Sequence, residues 1–303
     1  MKRRWLLFAG GAAAIQPEEW GLDRTRSHPD KVSIITVCYN SAQTIRTTIE
    51  SVLGQTYGNI EYIVIDGGSN DGTLDIVREY GERIATVVTE PDRGIYDAMN
   101  KGIQLARGDV VGLLNADDFY VSGDVVADLM GRMQRAGADC VFADVEYVDR
   151  NDVDRVVRYY DSSHWTVRKL RWGWIPAHPT FFIKKSWYER CGNYSLEYRI
   201  AADFEWLVRI MCKGKPKYSY LQRAVVRMRV GGVSTASWRH RWLLNREIVH
   251  ACRRHGIWTS MPLVLLKIPR KLAELMPVRR RLSQISRVWR RFSGRVTGFR
   301  ERL

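Results

Sequence analysis

Between residues 31 and 148 the chain alternates apolar, strand-like runs with amphipathic, helix-like runs. The apolar runs predict strands at 32–38, 61–66, 85–89 and 109–114. The intervening periodicity predicts helices at 42–53, 73–80 and 95–106. Strands separated by helices of this length form βαβ units in a mostly parallel sheet. The sequence therefore predicts an α/β fold with a Rossmann-like, mostly parallel central sheet and flanking helices.

The alternation loosens after Asp149, where the elements become less regular. Strand-like segments at 147–148 and 156–160 predict an added hairpin, and 225–230 predicts a further strand. Helical periodicity covers 201–213 and 238–255. Prolines at 262, 269 and 277 then divide the C-terminal end into short pieces.

Positive charge is concentrated in this C-terminal end. The whole chain has a net charge of +15, and residues 267–303 hold 12 Lys or Arg against Glu274 and Glu301, which leaves 12 − 2 = +10 there. The pattern indicates a globular core with a cationic arm. Because Trp289, Phe292 and aliphatic residues are mixed with the arginines, we expect a helix on an anionic membrane surface. A solvated or partner-binding tail and a nucleic-acid-binding arm are the alternatives.

Cysteine usage favours a reducing compartment. The 5 cysteines are odd in number, widely spaced and without a CxxC, which argues against a disulfide framework or a zinc site. Residues 1–15 resemble a short signal peptide, but a frayed leader is the expectation. No apolar stretch reaches the length of a spanning helix. We therefore expect a cytoplasmic protein that is peripheral on the inner face of the plasma membrane.

Polar clusters follow the four predicted strands, at 36–40, 66–71, 90–94 and 115–118. Ligands of an open parallel sheet bind beyond the carboxyl ends of its strands, so we expect these clusters to meet at one edge. The turn after the first strand has no GxGxxG, and the chain has no GxxxxGK[ST]. Both absences exclude the usual phosphate cradles of dinucleotide-binding and P-loop proteins.

The fourth cluster, Asn115-Ala116-Asp117-Asp118, places two adjacent carboxylates at the end of a buried strand. Like charges this close repel unless something neutralises them. A divalent cation that carries a diphosphate is one such partner, because Mg²⁺ and Mn²⁺ prefer oxygen ligands. A helix N-cap at Asp118 or Ser122 is the structural alternative.

Four ordered blocks, at 32–40, 65–73, 90–102 and 114–118, resemble the successive blocks of family 2 glycosyltransferases with the GT-A fold. The subgroup resembles bacterial enzymes of exopolysaccharide or lipopolysaccharide assembly. The resemblance implies an inverting, hexosyl- or N-acetylhexosaminyl-transferring enzyme that uses a nucleotide-diphosphate sugar, a divalent metal (Mn²⁺ or Mg²⁺) and a glycan or lipid-linked acceptor, and no nucleic acid.

The resemblance also divides the chain. It implies a leader at 1–30, a GT-A domain at 31–235 with a nucleotide-binding half (31–120) and an acceptor half (121–235), and a basic helical extension at 236–303.

On the donor side the resemblance carries over residue by residue. Nucleotide-sugar contacts are expected at Thr36, Tyr39, Asn40, Asp66, Arg93, Asn115, Asp117 and His178. The chain departs from the family's usual DxD pattern at Asn115, which brings no charge. The metal is therefore expected on Asp117 and Asp118, and which of them is the direct ligand stays open.

On the acceptor side, the resemblance assigns the general base to Asp203, in the segment Ala201-Ala202-Asp203-Phe204. An acid in the first turn of a helix is also stabilising without any chemistry, and Glu205 is a weaker candidate. His178 could contact the sugar or phosphate, or orient a loop. A non-catalytic GT-A-fold binding or assembly protein at the membrane is the alternative function, and Asn115 is the one hint towards it.

Overall fold

The structure, a computed structural model, describes residues 30–231 and 238–266. Its strands are β1 (Val32–Cys38), β2 (Ile60–Asp66), β3 (Thr86–Thr89), β4 (Val110–Leu113), β5 (Asp118–Tyr120), β6 (Cys140–Val148), β7 (Val156–Tyr160), β8 (Phe182–Lys184) and β9 (Tyr218–Arg229). Its α-helices are α1 (Ile45–Leu53), α2 (Thr73–Arg78), α3 (Ile95–Leu105), α4 (Val125–Arg135), α5 (Ser186–Cys191), α6 (Ala202–Arg209), α7 (Trp238–Arg254) and α8 (Met261–Leu265). The predicted leader up to residue 29, the boundary at 235 and the tail from 267 lie outside the described residues.

Within the described residues the strands form one sheet, in the order β3-β2-β1-β4-β8-β6-β9-β5, with β7 paired to β6. Strands β3, β2, β1 and β4 are parallel, as predicted. The remaining part is mixed, because β8 runs antiparallel to both β4 and β6, and β5 runs antiparallel to β9. The predicted parallel order is therefore complete in the first half, and in the second half the pairing of β6 with β9 is parallel as well. In the second half, hairpin-like pairings such as β6 with β7 replace the βαβ units.

Apolar side chains cover both faces of the parallel strands. Ile35 and Val37 of β1 point into the layer that contains α3 and α6, and Ile34 points into the layer that contains α1 and α4. Helix α3 lies very close to the sheet, since a Cβ added to Gly102 would be 2.4 Å from a methyl group of Ile35. This close approach fixes the position of Tyr96, at the start of α3.

Most predicted elements of the first half, and helix α7, are confirmed to within one to three residues. The hairpin of β6 with β7 forms as predicted, but β6 begins at Cys140, seven residues before the predicted segment. Two further elements differ. Helix α6 ends at Arg209 and continues as a wider π-type turn over Ile210–Gly214, and β9 begins seven residues before the predicted strand.

All five cysteines lie within the described residues and none of them forms a disulfide; Cys38, Cys140 and Cys252 are buried. Over residues 30–231 and 238–266, none of the helices combines the length and the apolar character that crossing a bilayer requires.

Candidate functional site

The carboxylate of Asp66 organises the loop that follows β2. It is fully buried and accepts hydrogen bonds from the backbone N–H groups of Gly68 (3.1 Å) and Ser69 (3.0 Å) and from the hydroxyls of Ser69 and Thr89 (2.7 Å to Thr89). Burial by itself would raise the pKa of Asp66, but these hydrogen bonds outweigh it and hold the pKa below its ordinary value. The structure therefore places Asp66 beneath the loop, with both oxygens already engaged.

The turn after β1 is tied to the same loop. The backbone N–H of Asn40 donates to the Ser69 hydroxyl (2.8 Å), and the Asn40 side-chain oxygen accepts from the Asn70 N–H (3.0 Å). Asn40 has a φ of 49°, a left-handed conformation that asparagine tolerates better than most residues. The ring of Tyr39 lies 64% exposed beside Gly67. Tyr39 and Asn40 thus lie at the carboxyl edge of the parallel strands, which we call the crevice. Their contacts with a nucleotide sugar stay a prediction.

Thr36 does not reach the crevice. Its side chain is fully buried, and its hydroxyl accepts a hydrogen bond from the Tyr62 hydroxyl (3.1 Å). Successive side chains of a strand point to opposite faces, and Thr36 shares the face of Ile34 in the core layer of α1 and α4. The prediction that Thr36 lines the nucleoside pocket is corrected accordingly.

The segment after β3 adds charge of both signs to the crevice. The side chain of Arg93 is 79% exposed and paired only with Asp97 (3.3 Å) among the described residues. Asp92, by contrast, is 8% exposed and lies 2.6 Å from the ammonium of Lys101, and its Oδ2 approaches Gly67. Arg93 is therefore available to an incoming anion, whereas Asp92 forms part of the wall.

The acid pair lies at the end of β4 and the start of β5. Asp118 is 1% exposed and accepts a hydrogen bond from the Asn115 amide (3.3 Å), whereas Asp117 is half-buried. Burial raises the pKa of both carboxyls, and the neighbouring charge of Asp117 raises the pKa of Asp118 further. The pair therefore lacks full neutralisation within the described residues.

Two arginines lie beside this pair. Arg229, at the end of β9, donates to the Asp117 carbonyl oxygen (2.8 Å) and stacks over the Phe119 ring at 5.0 Å. The charges of Arg229 and Arg150 oppose the rise in the pKa of Asp117 that burial causes. The two arginines offset the negative charge of the acid pair only in part. Together with Arg93 they provide positive charge that a diphosphate could contact.

The oxygen atoms of the acid pair and its neighbouring amide fit a divalent cation. Two carboxylates with raised pKa values, beside an amide, provide the hard oxygen ligands that Mg²⁺ or Mn²⁺ takes. Among the described residues no three His, Cys, Asp or Glu side chains gather into a metal-holding group. A cation here would take its other ligands from a bound ligand and water, which is how Mg²⁺ is commonly held with phosphates.

The third carboxylate, Asp203, lies in the first turn of α6 and is half-buried. Its Oδ1 accepts from the Phe204 N–H (2.8 Å) and lies 3.2 Å from the Tyr96 hydroxyl. The Tyr96 hydroxyl also donates to the Ile200 carbonyl (2.6 Å), so α3 holds both Asp203 and the residues before it. Asp203 is thus positioned by α3, through Tyr96 of the block that follows β3.

His178 belongs to the surroundings of Asp203. Its Nε2 lies 2.9 Å from the Tyr194 hydroxyl, and the two rings meet edge to face. Burial lowers the pKa of His178, and the charge of Asp203 opposes that effect in part. His178 is therefore neutral at pH 7 and can donate or accept a hydrogen bond.

Glu205 is not free to act as a base. It is 3% exposed, forms an ion pair with Arg209 (2.9 Å) and lies 2.6 Å from the His255 ring. Its partners bind α6 to α7, which is a structural role.

Glu247 of α7 holds the segment that leads into α6. Its two carboxylate oxygens accept from the backbone N–H groups of Arg199 (2.9 Å), Ile200 (3.0 Å) and Ala201 (2.9 Å). These N–H groups precede or begin a helix and would otherwise lack acceptors. Sequence reasoning missed Glu247, Tyr96 and Arg229. Tyr96 lies inside the block at 90–102, on which the family resemblance rests. No local sequence pattern signals the contacts of Glu247, because their partners lie 46 to 48 residues earlier in the chain.

Comparisons with known proteins find matches over more than half of the chain. The model of the family described as "Glycosyl transferase family 2" matches residues 33–195. The uncharacterized glycosyltransferase Rv1514c of Mycobacterium tuberculosis H37Rv is 34% identical over 183 residues, which cover 59% of this chain and 68% of that protein. A PGL/p-HBAD biosynthesis glycosyltransferase of Mycobacterium bovis BCG is 30% identical over 182 residues, covering 58% and 68%.

Solved structures share the fold. TarS 1-349 of S. aureus in complex with UDP-GlcNAc has a TM-score of 0.61 at 17% identity, covering 80% of this chain and 73% of that one. The mannosyltransferase PcManGT of Pyrobaculum calidifontis, in complex with GDP-Man and Mn²⁺, has a TM-score of 0.56 at 20% identity, covering 87% and 81%. Both likenesses establish the GT-A type of fold for this chain.

Replacing Asp66 by Asn tests its role in the loop. We expect a loss of about 2–3 kcal/mol at pH 7, because an amide cannot accept all the hydrogen bonds that the carboxylate accepts. Since the folded-state pKa is lowered, this stabilisation is present above about pH 4 and is lost as the pH falls through the folded-state pKa. Urea unfolding at several pH values should show the gap to wild type narrowing in acid. Asp75→Asn, at an exposed position of α2, is the control, and an equal gap at all pH values contradicts the assignment.

Replacing Glu247 by Gln tests the hold of α7 on α6. The amide nitrogen cannot accept a backbone N–H, so we expect faster hydrogen exchange at residues 199–201 and a loss of about 1–3 kcal/mol. Exchange measured by mass spectrometry checks this, with Glu197→Gln, in an exposed ion pair with Arg254, as control. Unchanged exchange at 199–201 would rule out the role.

Proposed function

The chain belongs to glycosyl transferase family 2, and we propose that it transfers a sugar, with inversion, from a nucleotide-diphosphate sugar to a hydroxyl of a glycan or lipid-linked acceptor. The proposal rests on three acids that lie at two separate places in the fold. Asp117 and Asp118 stand at the donor crevice, and Asp203 stands on α6, held by Tyr96.

We propose that the donor lies along the carboxyl ends of β1 to β4. Tyr39 and Asn40 would contact the nucleoside, and the exposed guanidinium of Arg93 would contact phosphate. Asp66 would act mainly by holding the Gly68–Ser69 backbone in place beneath the nucleotide. Structural neighbours with UDP-GlcNAc and GDP-Man support a hexosyl or N-acetylhexosaminyl donor.

We propose that Asp117, Asp118 and Asn115 provide the protein side of a Mn²⁺ or Mg²⁺ site. Such a cation, when bound, supplies Lewis-acid stabilisation of the negative charge that develops on the departing diphosphate. Asp117 is the more exposed of the two acids, so we assign it the direct contact and Asp118 the supporting position. Arg229 lies beside the pair and would add positive charge on the diphosphate side.

The reaction is a single displacement. Asp203 accepts the proton of the acceptor hydroxyl while the acceptor oxygen bonds to the anomeric carbon and the bond from that carbon to the diphosphate breaks. Tyr96 fixes the orientation of the carboxylate, which lies in the first turn of α6. Neutral His178 can hydrogen-bond the sugar without adding charge.

The setting proposed is cell-envelope glycan synthesis. Relatives in this field include the PGL/p-HBAD glycosyltransferase and the putative teichuronic acid biosynthesis glycosyltransferase TuaG of Bacillus subtilis, which is 36% identical over 119 residues, covering 38% of this chain and 46% of TuaG. We propose a donor half at 31–120, an acceptor half at 121–235 and a basic extension at 236–303. The extension would hold the protein at the inner face of the plasma membrane.

Asp203→Asn should abolish transfer and leave donor affinity nearly unchanged, because the base acts on the acceptor. With the acceptor unidentified, release of the nucleoside diphosphate from UDP-GlcNAc or GDP-Man, with water as acceptor, measures turnover. Isothermal titration with the same donor measures binding. Glu205→Gln removes an acid with a structural role on the same helix, and so it is the control for effects of lost stability on turnover.

An Asp203→Asn variant that loses both turnover and binding counts against Asp203 as the base. A wild-type protein that binds a donor but never releases the diphosphate supports the binding-protein alternative.

Asp117→Asn should weaken donor binding in the presence of Mn²⁺ by tenfold or more, about 1.4 kcal/mol or above. The same variant should bind donor equally with and without a chelator. Thermal shift with UDP-, GDP- and dTDP-sugars, each with Mn²⁺ or with a chelator, checks this, because a ligand of the native state raises its melting temperature. Donor binding by the wild-type protein that is indifferent to the chelator contradicts the metal proposal.

A further inference from the structure

Helix α7 presents tryptophan and arginine on one exposed side. Trp238 and Trp242 are four residues apart, which places them on one face of the helix, and they are 73% and 55% exposed. Arg246 continues that face by four more residues and is exposed. The guanidinium of Arg239 lies 5.6 Å from the Trp238 ring. We call these four residues the α7 strip.

Exposed aromatic rings also lie past the C-terminal end of α7. Arg253 donates to the Thr259 carbonyl (3.4 Å), and the Thr259 hydroxyl donates to the Arg171 carbonyl. The Arg171 guanidinium stacks over the Trp258 ring at 5.4 Å. Trp258 is 70% exposed, and Trp172 beside Arg171 is 46% exposed. Trp172 and Trp258 thus form a second group of exposed rings next to arginine, past the C-terminal end of α7.

The charge of this surface has one sign. Residues 238–266 contain five arginines, and the one acid among them, Glu247, is buried on the side of α7 that faces residues 199–201. Arg254 pairs with Glu197, away from the strip. The strip therefore combines indole rings and cations without an acidic residue of its own segment.

We propose that the α7 strip docks onto the surface of an anionic lipid bilayer. Indole rings have an apolar body and a polar N–H, which suits the headgroup level of a membrane, and arginines are attracted by anionic lipids. The chain also continues from Leu266, 63% exposed, directly into residues 267–303 with their net charge of +10. This assigns membrane contact to a folded, named face at the start of the 236–303 extension, in addition to residues 267–303.

The position of the strip has a functional consequence, which rests on the proposed function. The opposite side of α7 holds residues 199–201 through Glu247, immediately before Asp203. One helix diameter, about 10 Å, separates the two sides. A lipid-linked acceptor in the bilayer would therefore have its sugar close to the segment that carries the base.

Vesicle flotation of the full chain tests the docking surface. The vesicles contain phosphatidylcholine alone or phosphatidylcholine mixed with phosphatidylglycerol. We expect binding to the mixed vesicles, weakened about 30-fold in Arg239→Ala/Arg246→Ala, the equivalent of ~2 kcal/mol for two cations at an anionic surface. Trp238→Ala/Trp242→Ala should weaken binding by about tenfold or more. The controls are Arg78→Ala/Arg155→Ala, both 70% exposed, and Val87→Ala/Leu105→Ala, which should bind like wild type.

Several results would overturn the proposal. One is equal flotation of the strip variants and wild type, which would leave any binding to residues 267–303. Another is equal binding to both kinds of vesicle. A third is a fall in melting temperature of the tryptophan variant without loss of vesicle binding, which would mean that the rings pack on the chain itself. Tighter binding of duplex DNA than of mixed vesicles, lost in the arginine variant, would assign the strip to nucleic acid.

Donor binding in the same preparations separates this proposal from the proposed function. If the chain binds mixed vesicles through the strip but no nucleotide sugar raises its melting temperature, the docking surface stands and the proposed function fails. If nucleotide sugars bind but the strip variants float like wild type, the docking surface fails and the proposed function stands.

Discussion

The register of the parallel strands is the constraint on which the rest of the site depends. Cys38 of β1 lies opposite Asp66 of β2, and Asp66 lies opposite Thr89 of β3. Three strands therefore end at one level, and the polar segments after them emerge side by side. Asp66 then uses this alignment, because its carboxylate joins the loop after β2 to the hydroxyl of Thr89. Without the shared register, Tyr39, Arg93 and Asn115 would have no common crevice.

Two kinds of buried acid follow from this frame. Asp66 and Glu247 are each surrounded by N–H or hydroxyl donors, so their charge is compensated inside the fold. Asp117 and Asp118 are buried with an amide and a partly compensating arginine, and their pKa values are raised. The first kind stabilises structure. The second kind costs stability and suits a cationic ligand, as is common where a site is prepared for a ligand.

Much of the fold could be predicted from the sequence. The apolar runs and the helical spacing give β1 to β4 and α1 to α3, since each of these elements is specified by its own residues. The long parallel pairing of β6 with β9 could not be found in this way, because it joins segments about 80 residues apart and its register shifts twice along the strands. Thr36 shows the same limit at the level of one residue. Its place in the chain suggests the crevice, and only the pleat of β1 shows that it points into the core. Tyr96 and Glu247 act on the Asp203 segment from distant elements, which a local pattern does not encode.

In the proposed single displacement, Asp203 activates the acceptor on the side opposite the leaving diphosphate, which inverts the configuration of the anomeric carbon. The anomeric configuration of the product tests it most directly. With a donor that is α-linked to its diphosphate, such as UDP-GlcNAc or GDP-Man, and with water as acceptor, proton NMR of the released sugar, taken before mutarotation, should show the β configuration. A product that keeps the α configuration would contradict the account, because retention requires a different arrangement of the reacting groups from the one that Asp203 and the Asp117–Asp118 pair provide.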